Sequence, residues 1–110
     1  MESILVSIKK LLGIDSECTQ FDSDIIMDIN TALMVLTQLG VGPENGFSIS
    51  DDSQKWSDFT DTSLIEGVKS YVHHKVRLMF DPPTNSTVME SEKQIIAELE
   101  WRLNILCDRR

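Results

Sequence analysis

The side chains able to do chemistry in this chain are few and poorly spaced for it. His73 and His74 are its two histidines, and a helix points adjacent side chains about 100° apart, whereas two helical histidines sharing an ion need to stand four apart. Asp22, Asp24 and Asp28 crowd one stretch, with Asp24 and Asp28 on one helical face. A hard cation could use such a cluster, but acidic residues at a helix start also complement the helix dipole, and no glycine-containing acidic loop of the EF-hand type is present. Asp51, Asp52 and Asp58 read as solvated turn residues. Cys18 and Cys107 show neither CxxC nor Cys/His spacing, which points to reduced thiols rather than to zinc or redox chemistry. No Gly-x-Ser-x-Gly elbow or phosphate-binding glycine loop occurs. The residues therefore nominate no catalytic site, no metal site and no cofactor.

The totals narrow the field further. A chain of 110 residues is expected to form a single domain, residues 1–110, with one modest core and no room for a large internal cavity. Its net charge of −8 opposes non-specific attraction to a phosphate backbone or an anionic membrane. Lys69, Lys75 and Arg77 are scattered and carry no exposed aromatic row between them, so a nucleic-acid platform is not indicated. The basic pair Lys9-Lys10 follows the first apolar run instead of preceding it, unlike a secretory signal. No apolar run approaches the roughly 20 residues needed to cross a bilayer, and a soluble protein is expected.

The elements that position these side chains read as helices. Ile4, Leu5, Ile8, Leu11 and Leu12 mark a short first helix stopped by Gly13. A second starts with Asp22 as cap and Phe21 and Ile26 at staple spacing; Ile25, Ile29, Leu33, Leu36 and Leu39 form its stripe, which Met27 and Met34 are expected to extend into the core. The third is expected to begin at Asp61 to Ser63, with Ser63 and Glu66 as a capping box, and to end at Asp81-Pro82-Pro83. The last begins near Thr87, where Thr87 and Glu90 repeat the box, and carries Ile96, Leu99, Leu103 and Leu106 at three, four and three. The fold class is thus all-α: a small bundle of about four helices with a long loop between the second and third.

That loop opens at Leu39-Gly40-Val41-Gly42-Pro43 and holds Phe47, Trp56 and Phe59. A long aromatic loop in a small protein is a candidate binding element. Phe47-Ser48-Ile49-Ser50 alternates as a short strand or hairpin arm would, and Trp56 and Phe59 stand one helical turn apart. The rings either plug the end of the core or anchor a partner; burial of both would leave only the polar part of the loop as a contact surface. The last helix either packs within the domain or serves as an amphipathic arm on another subunit. Phe47, Trp56, Phe59, Leu99, Trp101, Leu103 and Leu106 are accordingly the candidate interaction residues.

From residues alone the reading ends at a small acidic helical domain. The segment Asp24-Ile25-Ile26-Met27-Asp28-Ile29-Asn30-Thr31-Ala32-Leu33, the Leu39-Gly40-Val41-Gly42 break, Trp56-Ser57-Asp58-Phe59 and the Phe80-Asp81-Pro82-Pro83 stop together resemble the small head-tail connector proteins of long-tailed bacteriophages and prophages, also called adaptor or head-completion proteins. The resemblance implies a non-enzymatic, all-helical virion subunit, present in the host cytoplasm before assembly. It further implies a ring of about twelve or thirteen copies below the portal, closed by head-to-tail contacts. Such a ring extends the DNA channel without specific DNA binding and receives the stopper or tail proteins. Family behaviour further implies rearrangement of Gly40–Thr60 and of Thr87–Arg110 on assembly. The alternative is a small intracellular module that binds a protein through the loop aromatics or the last helix; a metal-assisted nuclease accessory rests only on the acidic clusters.

Overall fold

The computed structural model describes residues 2–108, so Arg109 and Arg110 of the expected C-terminal element lie outside the described residues. Five helices follow in order: α1 (Ile4–Leu11), α2 (Asp22–Gln38), α3 (Trp56–Phe59), α4 (Ile65–Phe80) and α5 (Ser86–Asp108). The all-α expectation holds; the additional helix is the four-residue turn α3, formed by the tryptophan and phenylalanine that stand three apart.

α4 is the middle of the molecule because it has two working faces. Val68, Val72 and Val76 are fully buried on one, in the core shared with Ile25, Ile29, Leu33 and Leu36 of α2 and Ile4 and Ile8 of α1. The other face, Gly67-Tyr71-His74 at helical spacing, receives α5: Leu103 lies over Gly67, Tyr71 donates to Glu100 Oε2 at 2.8 Å and His74 Nδ1 lies 2.6 Å from Glu92 Oε2. A side chain on Gly67 would crowd Leu103, with a Cβ at 3.2 Å from it, so the small residue permits the close approach of α5.

Helix ends depart from the expected caps in instructive ways. Asp22 does not cap α2; Phe21 precedes the helix with no side-chain cap bond, and the Asp22 carboxylate pairs with Lys9 at 2.8 Å. Ser63 and Glu66 form no capping box, since α4 starts at Ile65 and the Ser63 hydroxyl donates to Asp61 in the preceding turn. Asn85, rather than Thr87, caps α5, accepting from the amides of Thr87 at 2.8 Å and Val88 at 3.2 Å. The stop after α2 is as the glycine suggested: Gly40 takes a φ of +93°, its amide donates to Thr37 and the amide of Val41 to Leu36, which is a Schellman motif with Val41 buried beneath it.

No strand or hairpin forms among the described residues. Ile49 is held instead by the side-chain amide of Asn30, whose Oδ1 accepts from the Ile49 amide at 2.8 Å and whose Nδ2 donates to the Ile49 carbonyl at 3.0 Å. Asn30 thus takes the place of a partner strand and pins the loop to α2. Asn30→Leu is expected to cost about 2 kcal/mol by orphaning both backbone groups, and to raise amide exchange over residues 47–55 selectively; equal protection with and without the amide would contradict this role.

Candidate interaction surfaces

Sequence-selected residues fall into three groups, buried, half-buried and exposed. Trp56, Phe59 and Leu103 are buried: the Trp56 indole donates to Ser7 Oγ at 2.7 Å, and Phe59 meets the half-buried Phe47 edge-on, with centroids 5.5 Å apart. The loop rings therefore complete the subunit core, and as anchors for a partner they are not available without rearrangement. Leu99 is half-buried against the core. Trp101, 62% exposed, and Leu106 remain on the surface.

Met27 and Met34 are corrections to the sequence reading. They stand 65% and 53% exposed, about 180–200° round α2 from Ile25 and hence opposite the core. α1 and α4 cover one side of α2 and the loop is pinned beside it at Asn30; among the described residues Met27 and Met34, on the far side, stay exposed. Three more large side chains join this surface near the start of α2, where Phe21, Asp24, Met27, Asp28, Met79 and Phe80 line an open depression of about 400 Å³ and Phe21 meets Phe80 edge-on at 5.7 Å. Seven-residue spacing of the methionines on a face already too wide for one neighbour was the signal available.

Charge is uneven over these faces. α2 contains three aspartates and neither lysine nor arginine. Burial, and the Asp24 charge beside it, hold the Asp28 carboxyl above its ordinary value of 3.8. Such a raised acid stabilises the fold below its unfolded pKa and loses that contribution as pH rises through the folded one. Asp28→Asn is accordingly expected to leave the isolated subunit as stable or slightly more stable at pH 7, by up to about 0.5 kcal/mol, a result that paired urea denaturations at pH 7 can check.

The two histidines stand side by side on α4, with ring centroids 5.0 Å apart. Among the described residues no cluster of three or more potential ligands occurs. His74 is engaged by Glu92, while burial, then the charges of His74 and Arg77, push His73 below its ordinary 6.5, opposed by Glu92 and the Leu11 backbone. For a base with a depressed folded pKa, stability is full above the unfolded pKa and is lost as pH falls towards the folded one. Removing His74 leaves the buried Glu92 without its partner and is expected to cost about 1–3 kcal/mol. Faster proteolysis within α5 of His74→Ala than of wild type is the expected readout.

The open space beside the loop is of the same modest kind: Gly40, Gly42, Pro43, Phe59, Thr60, Asp61 and Cys107 line a depression of about 500 Å³. No disulfide joins Cys18 and Cys107. No helix among the described residues is long and apolar enough to cross a membrane. What the surface offers is apolar contact, from Val6 and Leu11 on α1, Met27 and Met34 on α2, Met79 near the end of α4, and Val88, Ile95, Trp101 and Leu106 along α5.

No curated protein and no solved structure matches the chain. A family model described as phage connector protein matches residues 4–110, which take in all five helices. Exposed apolar faces agree with that match, and the chain belongs to the phage connector protein family.

Proposed function

We propose that this chain is a head-tail connector of a phage or prophage, a structural virion subunit that forms a ring of about twelve or thirteen copies below the portal. The ring extends the DNA channel and gives the stopper or tail-completion protein its platform. The family match over residues 4–110 carries this reading. Exposed apolar side chains on both outer helices support it, because a ring subunit needs two different contact faces. With Trp56 and Phe59 in the core, the alternative of a regulatory module that binds through those loop rings loses its main anchor.

Net charge −8 suits a lumen along which DNA slides, since like charges repel and a basic wall would grip it. The attachment of α5, along one face of α4 and by Asn104 to the Leu39 carbonyl at the end of α2, suits an element that re-docks on assembly. Mass spectrometry of purified virions provides the test. The chain is expected at a fixed stoichiometry per particle, encoded beside portal, capsid and tail genes; its absence from particles made by a phage that expresses it would contradict the proposal.

A further inference from the structure

Two exposed seams run along the outer helices of the subunit. On α2, Met27 and Met34 repeat at seven residues with Thr31 between them. On α5, Val88, Ile95 and Leu106 are all exposed and lie with Arg102 within about 40° of one another round the helix, roughly 90° from the face packed on α4. Both follow the spacing by which one helix packs along another. α2 and α5 are on different faces of α4, so one subunit cannot bring its own seams together. A second copy can.

The charges are matched in the same sense. Beside the α2 seam, Asp24 and Asp28 have no cationic partner among the described residues, and they repel one another. The α5 seam carries Arg102, whose one ion pair among the described residues is a 3.3 Å contact with Glu98 on its own exposed helix surface. Exposed pairs of this kind are worth little and exchange readily. A cation set between Asp24 and Asp28 relieves their repulsion while methionines, adaptable in shape, close on branched side chains.

Resting on the connector reading, we propose that the Met27–Met34 face of α2 in one subunit receives the Val88–Ile95–Leu106 stripe of α5 from the next, with Arg102 against Asp24 and Asp28. The contact is heterologous, the same two faces repeating round a closed ring.

Full-length chains carrying Met27→Glu with Met34→Glu, or Ile95→Glu with Leu106→Glu, test it by sedimentation velocity and electron microscopy, after thermal melts establish that both remain folded. Each double variant is expected to raise the concentration for half-assembly at least tenfold. Mixed in equal amounts, the two are expected to form a species of two copies that grows no further, because one intact face remains on each partner. Asp24→Lys with Asp28→Lys is expected to block rings, and adding Arg102→Glu to the same chain to restore them. Wild-type rings accompanied by unimpaired rings of either seam variant would overturn this contact and leave the connector reading standing. Wild-type protein that never assembles, even on its portal, would overturn both.

Discussion

Lys9→Met is expected to lose about 3 kcal/mol of stability and about 12–24 °C of melting temperature. Lys9 is a cation only 2% exposed, yet its ammonium donates to the Ser16 carbonyl at 3.2 Å and the Cys18 carbonyl at 2.7 Å and forms an ion pair with the Asp22 carboxylate at 2.8 Å. The apolar stem fills the space beneath α1 while the head ties the α1–α2 connection to the start of α2. Methionine keeps most of the stem and removes the head, leaving two carbonyls without their donor and a carboxylate without its counter-charge. Breaking a buried pair costs about 3–5 kcal/mol, and partial exposure of Asp22 puts this one at the lower end. Lys10→Met, at an exposed neighbour, is expected to fall within about 0.5 kcal/mol of wild type. Urea denaturation of the pair separates burial from charge; equal midpoints would show that the Lys9 clamp contributes nothing.

Gly42→Ala is the second large effect. Gly42 has a φ of +88°, where any side chain costs about 1–2 kcal/mol. Its Cβ would also stand 2.5 Å from Cε1 and 2.7 Å from Cζ of Phe59, a ring buried and held edge-on by Phe47. Overpacking of this kind adds about 1–3 kcal/mol, for a total near 3 kcal/mol. Gly46 isolates the two contributions: its φ is +89° and its Cβ would meet nothing within 4 Å, so Gly46→Ala is expected to cost only about 1–2 kcal/mol. Denaturant midpoints that are the same for both variants would remove the ring contact as a constraint on the loop.

These two sites also mark where sequence reading reaches and where it stops. Periodicity placed the long helices, and Gly40 and Pro82 placed two of their ends, because backbone constraints at glycine and proline act locally. The helical spacing of Trp56 and Phe59 foretold the turn α3, and either their burial or their exposure was compatible with it. Asp22, Ser63 and Thr87 had the right types and spacing for caps, but Lys9 drew Asp22 away, Asp61 took the Ser63 hydroxyl and Asn85 reached the α5 amides first. Such competition depends on partners that a local pattern does not contain. Lys9 and Asn30 were illegible for the same reason, their acceptors being supplied by loops folded onto them. Met27 and Met34 were assigned to the core because their stripe was continuous; with α2 flanked on one side only, the far edge of that stripe is left outside. The interaction surface thus lies largely where the apolar pattern exceeds what one small subunit can cover.

Assembly on the portal is the centre of the account, and cryo-electron microscopy of the full-length chain mixed with the portal of the same phage addresses it most directly. The expected image is a closed ring of this chain seated coaxially on the portal, with α2 and α5 of neighbouring subunits in contact and an open channel through both. A portal that remains bare while the chain stays monomeric at saturating concentration would contradict it.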